Sequence, residues 1–210
     1  MMKTKSLEYL NDLFKRYPNL INCKDSILDA IKMLTDTFKK GGKLLLCGNG
    51  GSAADCEHIV GELMKGFKLD RFLNNELKAK INDENLSEHL QYGLPAIALV
   101  SHTALSTAFS NDKMPEAVFA QQVLGYGKKE DVLLCISTSG SSTNCVNAAK
   151  VAKALDMKVI TLTGNKVEYD LKHFSDVTIE APSEETYLVQ EYHLPIYHTI
   201  CLILEEEFFE

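Results

Sequence analysis

LLLCGNGGSAADCEHIVGEL, residues Leu44 to Leu63, runs from apolar positions through a glycine turn into a helical pattern. A strand that ends in a small-residue turn opening a helix leaves backbone N–H groups free at the helix start. The helix dipole adds partial positive charge there, so the place suits an anion.

Outward from this stretch the same alternation repeats. Apolar runs at 43–47, 95–100, 131–136, 158–163 and 176–180 are separated by helical patterns. Runs that are apolar throughout suit strands covered on both faces, and intervening helices supply the crossovers that parallel pairing demands. The expected fold is α/β, a three-layer sandwich around a five-stranded parallel sheet.

Ahead of the first strand, Leu7, Leu10, Leu13 and Phe14, then Ile27, Ile31, Leu34 and Phe38, recur at helical spacing on either side of Pro18. Residues 1–40 therefore read as two leading helices, stopped by Gly41 and Gly42. Residues 68–94 are polar, charged and long for a connection, and read as a surface insertion or lid with a short helix near Asn75 to Lys80.

The 210 residues suit one domain, residues 1–210. No apolar run approaches the ~20 residues that cross a bilayer, and the first residues lack the apolar core and cleavage site of a signal peptide, so a cytoplasmic protein without a membrane role is expected. A net charge of −7 with scattered lysines and arginines argues against a nucleic-acid partner. The six cysteines show no paired zinc spacing and read as reduced, mostly buried thiols.

Three places carry chemistry. In the first turn Gly48, Gly50 and Ala53 satisfy the dinucleotide pattern G-x-G-x-x-A, but the acidic residue expected at the end of the next strand is missing: that strand ends in Val100, Ser101 and His102. Asn49 and Ser52 instead offer an amide and a hydroxyl to a sugar. The helix beyond carries His58 and Glu62 at i, i+4, about 6 Å apart on one face, suited to a metal, to proton transfer, or to a plain surface ion pair.

The second place, CISTSGSSTN, sets Ser137, Thr138, Ser139 and Ser142 between a strand and a helix, a phosphate cradle that needs no lysine. It faintly repeats the first turn, LLLCGNGGSAADC at 44–56 against LLCISTSGSSTNC at 133–145. The third is the C-terminal helical pattern, starting near Ser183, with Gln190, His193 and His198. His193 reads equally as a hydrogen-bonded core histidine, and Pro195 predicts a kink before His198. Gln190 and His198, about 12 Å apart along an ideal helix, can share one metal only from between them.

Taken together, CGNGGSAADCEHIVGEL, Asn111-Asp112 in AFSNDKMP, CISTSGSSTN and QEYHLPIYH resemble the sugar isomerase (SIS) domain superfamily and, within it, the phosphoheptose isomerases. The resemblance covers essentially the whole chain. It implies substrate contacts from Asn49, Gly50, Gly51, Ser52, Glu62, Asn111, Asp112 and Gln190, a phosphate held by Ser137, Thr138, Ser139 and Ser142, and a zinc ion on His58, Glu62, Gln190 and His198. Glu62 and His198 match the family's acid and base.

The implied activity is aldose–ketose isomerisation, sedoheptulose 7-phosphate to D-glycero-manno-heptose 7-phosphate through an enediol. The implied assembly is a homotetramer with sites between subunits, which would cover the two leading helices unless these pack on their own sheet. Two departures stand out: no basic residue is clearly placed after the helix glutamate, where Lys65 or Lys68 would have to serve, and Thr186 to Val189 supply no acid just before Gln190. The alternatives are an isomerase of another phosphosugar and a non-catalytic SIS protein that binds a sugar phosphate and signals to a partner.

Overall fold

Strands buried on both faces must lie between two layers of helix, and the computed structural model, which describes residues 3–210, is built that way. The strands are β1 (Leu44–Gly48), β2 (Ala96–Ala98), β3 (Val132–Ile136), β4 (Lys158–Gly164) and β5 (Val177–Ala181). All pairings are parallel, in the order β2-β1-β3-β4-β5. The five expected strands are thus all present, within a few residues of their expected ends.

The helices are α1 (Thr4–Arg16), α2 (Lys24–Lys39), α3 (Gly51–Met64), α4 (Asn75–Ile81), α5 (Glu84–His89), α6 (Thr103–Asp112), α7 (Val118–Tyr126), α8 (Thr143–Ala154) and α9 (Thr186–Phe209). Alternate residues of each strand point to opposite layers. Leu44, Leu46, Leu134 and Ile136 pack with α1, α2, α3 and α9 through Leu10, Ile27, Leu34, Ile59, Leu63, Ile200 and Leu204. Leu45, Cys47, Leu133 and Cys135 pack with α7 and α8 through Val123, Cys145 and Ala149. All six cysteines are free and buried.

The leading helices bury their stripes inside this same core, Leu10, Leu13, Ile27, Ile31 and Leu34 all being inaccessible. Their amphipathic pattern is therefore satisfied within one chain and is no argument for a second copy. Near the C-terminus, α9 starts at Thr186 after Glu185, not at Ser183, whose Oγ accepts the Glu185 N–H just upstream. The helix is unbroken across Pro195, with the Thr199 hydroxyl donating to the Pro195 carbonyl at 2.8 Å. The amide that proline lacks would have bonded the carbonyl of Glu191, an exposed residue whose carbonyl water can serve.

The 68–94 segment is a surface excursion only in its middle. There α4 and α5 are capped by Asn74 and Asp83, which accept from the N–H groups of Leu77 and Leu86. At its base Arg71 is fully buried. Its guanidinium pairs with Glu205 of α9 at 2.9 Å and donates to the carbonyls of Leu63 and Glu62 at 2.6 and 3.0 Å, the open C-terminal end of α3. Glu205 in turn accepts the N–H groups of Phe67, Lys68 and Leu69. Every charge in this cluster has partners, which is the condition for burying it.

Breaking one side of such a pair leaves an uncompensated buried charge. Arg71→Met is expected to lower unfolding stability by about 3–5 kcal/mol, and the double variant Arg71→Met with Glu205→Leu to recover part of that loss. Urea midpoints decide it: a near-neutral Arg71→Met would show that the cluster is not the joint between α3 and α9.

Candidate active site

In a parallel sheet, ligand turns gather outside the carboxyl ends of the strands where the strand order changes direction, here between β1 and β3. Both notable turns lie at this point, because β1 and β3 pair in register from Leu44↔Val132 to Gly48↔Ile136. The first turn enters α3 through Gly50 at φ +56°, a left-handed conformation that favours glycine. At Gly51 a Cβ would stand 2.8 Å from Gln190 Nε2, so the glycine lets the α9 amide rest on the turn. Ser52 is buried beneath it.

The second turn, between β3 and α8, folds its hydroxyls together. Ser137 Oγ lies 2.9 Å from Ser142 Oγ and 3.5 Å from Ser139 Oγ. Gly140 sits at φ +69° under the Tyr169 ring, where a Cβ would come within 2.6 Å of ring carbon. Ser142 is the residue before α8 and makes no side-chain cap, so α8 begins with open N–H groups beside the hydroxyls.

The two turns are joined by a residue not anticipated from sequence. Asn144 and Asn49 exchange amide hydrogen bonds of 2.8 and 2.9 Å, and Asn144 Oδ1 also accepts the Cys145 N–H. A signal existed in the faint internal repeat, in which Asn144 occupies the place of Asp55.

Asp55 belongs to the third group. The helices α3 and α9 pack side by side and bring His58, Glu62 and His198 together. His58 Nε2 is 3.3 Å from Glu62 Oε1 and 3.3 Å from His198 Nε2. Tyr197 Oη donates to Asp55 Oδ1 at 3.1 Å and lies 3.0 Å from His58 Nδ1. Glu62 Oε2 is buried without a hydrogen-bond partner, Lys65 Nζ standing 3.6 Å away. Burial first, and then the neighbouring His58, holds His198 below the ordinary imidazole range and so favours its neutral form.

These donors suit a tetrahedral zinc ion. With Zn–N bonds of about 2.0–2.1 Å, neighbouring ligand atoms stand roughly 3.3–3.4 Å apart, the separation of both contacts at His58. Among the described residues no three His, Cys, Asp or Glu side chains close on a single point. The arrangement is two close contacts that share His58. Gln190 stands against Gly51 and has no bond to the histidines. Asn111 and Asp112, at the exposed end of α6, bond to each other at 2.9 Å and to no other expected site residue among those described.

A sequence model of the SIS domain matches residues 8–92 and 84–164. A phosphoheptose isomerase of Aliarcobacter butzleri is 40% identical over 178 residues, 85% of this chain and 83% of that one. One of Helicobacter pylori strain P12 is 37% identical over 204 residues, 97% of this chain and 88% of its own. The solved structure of a phosphoheptose isomerase from Francisella tularensis is similar with a TM-score of 0.75 at 31% identity, covering 96% of this chain and 98% of the other.

His193, the remaining histidine of α9, is a core residue: it is inaccessible, with Nε2 3.4 Å from the Thr163 carbonyl and Nδ1 unpartnered. Burial pushes it down to about 4 from 6.5. The unfolded chain therefore takes up this proton first, and stability is expected to fall as pH drops through the window from about 6.5 to 4. Urea midpoints of His193→Gln should fall less steeply across that window; a profile parallel to wild type would exclude His193 as the source.

Proposed function

The chain belongs to the SIS-domain family and, within it, to the phosphoheptose isomerases, and from that membership we propose how its own residues carry out the isomerisation of sedoheptulose 7-phosphate. The phosphate rests on the hydroxyls of Ser137, Thr138, Ser139 and Ser142 and on the open N–H groups that begin α8. The sugar lies across Asn49, Gly50, Gly51 and Ser52 with Gln190 beside it, and Asn111 and Asp112 complete its contacts as the family resemblance implies.

Glu62 takes a proton from C1 of the ketose and returns it to C2 of the enediol. His198, neutral at pH 7, moves the proton between the two oxygens, so the product is the aldose D-glycero-manno-heptose 7-phosphate with no net change in redox state. His58, Glu62, Gln190 and His198 are the residues that would hold a zinc ion, which would supply polarisation of the substrate carbonyl and stabilisation of negative charge on its oxygen. The two roles of Glu62 fall to different atoms: Oε1 faces His58, and Oε2 is left for the proton.

The observation that carries this reading is that buried Oε2, which accepts no hydrogen bond and has Lys65 Nζ 3.6 Å away. Site closure supports the proposed assembly, a homotetramer with sites between subunits. The His58 side chain is 42% exposed on one chain, whereas proton chemistry of this kind benefits from exclusion of water. We place the enzyme in the cytoplasm. Among the described residues no helix is long and apolar enough to cross a membrane.

Glu62→Gln is expected to fold and assemble as wild type but to lose about 10²–10⁴-fold in kcat with little change in KM, and to stop exchanging the C1 proton of the ketose with solvent. Turnover within tenfold of wild type would remove Glu62 from the role of base. The assembly is read separately by light scattering, where a monomer at micromolar concentration would contradict a shared site.

A further inference from the structure

His58 is shared by both close contacts of the donor set, so the nitrogen that carries its proton decides what the set can hold. We propose that Tyr197 and Asp55 fix that tautomer, keeping the proton on Nδ1 and presenting the Nε2 lone pair to the space between Glu62 and His198. The proposal makes Tyr197 and Asp55 positioning residues, and it rests on the reading of His58, Glu62 and His198 as a metal-binding set.

The argument follows from proton counting. A phenol has one proton, and an ionised carboxylate can only accept. Tyr197 Oη therefore donates to Asp55 Oδ1, at 3.1 Å. At His58 Nδ1, 3.0 Å from the same oxygen, the phenol has only a lone pair left to offer, so Nδ1 must be the donor. In the neutral ring the other nitrogen is then bare, since the hydrogen bond made by one imidazole nitrogen sets the state of the other. Bare Nε2 stands 3.3 Å from Glu62 Oε1, which is also an acceptor. Two lone pairs so placed repel each other unless a positive charge is at hand; a second proton on His58 supplies it in the metal-free chain, and a divalent cation takes the place of that proton when bound.

Packing keeps the relay in place. The Tyr197 ring is 2% exposed and meets the His58 and His198 rings edge-on, with centroids 5.5 and 5.0 Å away. Asp55 and His58 lie three residues apart on α3, so they share a face of the helix. Tyr197 immediately precedes His198 on α9, and one segment of that helix thus supplies a donor to the set and the group that orients its neighbour. Outer partners of this kind are typically worth about 10–100-fold in metal affinity.

The test uses the full chain stripped of metal, with zinc affinity measured by competition against a chromogenic chelator and the ring tautomer of His58 read from its imidazole ¹⁵N shifts. Wild type is expected to carry the proton on Nδ1 and to bind one zinc per chain. Tyr197→Phe, which keeps the ring, should bind zinc about 10–100-fold more weakly and lose the Nδ1–H form, while its metal-free unfolding midpoint stays near wild type. Asp55→Ala, at a half-buried position of α3, frees the phenol proton for Nδ1 and should drive the histidine proton to Nε2 with the same loss of affinity. An Nε2–H tautomer in wild type, or equal zinc affinity in both variants, would overturn the proposal. Failure of wild type to bind zinc would instead overturn the metal-site reading, and the shifts would still decide whether the relay exists.

Discussion

The in-register pairing of β1 with β3 is the constraint from which the site hangs. Parallel neighbours present their carboxyl ends at one edge, and Gly48 opposite Ile136 sets the two small-residue turns side by side. A one-residue slip would invert every side chain between the layers, exchanging Leu44 and Leu46 with Leu45 and Cys47. Both layers are filled, so the register is held by burial on both faces. The Asn49–Asn144 amide pair then ties together two turns that the sheet has already made neighbours.

The second joint is between α3 and α9. Hydrophobic contact alone, through Ile59, Leu63, Ile200 and Leu204, would hold the helices together but tolerate small slides along their axes. Directional bonds do not. Arg71 caps the last carbonyls of α3 while paired to Glu205 of α9, and the turn after α3 donates three N–H groups to that same carboxylate. Fixing one end of both helices sets the spacing one turn and more away, where His58 meets His198. The base of the 68–94 segment is therefore part of the scaffold of the site, although its middle is solvent-exposed.

Much of this was legible in the sequence, for a physical reason. Strands buried on both faces must be apolar throughout, and the runs at 43–47 and 131–136 announce β1 and β3 directly. The i, i+4 spacing of His58 and Glu62 is a local property of any helix. The buried role of Arg71 was not legible, because an arginine amid charged residues such as Lys68 and Asp70 looks solvated until a carboxylate 134 residues away is folded against it. Tyr197 was absorbed by the apolar pattern of α9, since an aromatic ring at a core position does not reveal where its hydroxyl points. The short helix α5 was missed for another reason: with only Ser87 buried, it has no apolar stripe to read.

Two carboxylates, Glu62 of α3 and Glu205 of α9, show how the same group becomes structural or reactive. Glu205 is 1% exposed and accepts from three backbone amides and a guanidinium, so its charge is neutralised and its lone pairs are occupied. Nothing remains with which it could take a proton from a substrate. Glu62, 13% exposed, has one oxygen turned to His58 and the other buried without a hydrogen bond, the nearest charge to it being Lys65 Nζ at 3.6 Å. An unsatisfied buried acceptor costs stability, on the order of 1–3 kcal/mol, and natural folds seldom keep one without a use. The fully bonded carboxylate fixes the helices, and the incompletely bonded one, held in place by that fixation, keeps the free lone pair that proton transfer requires.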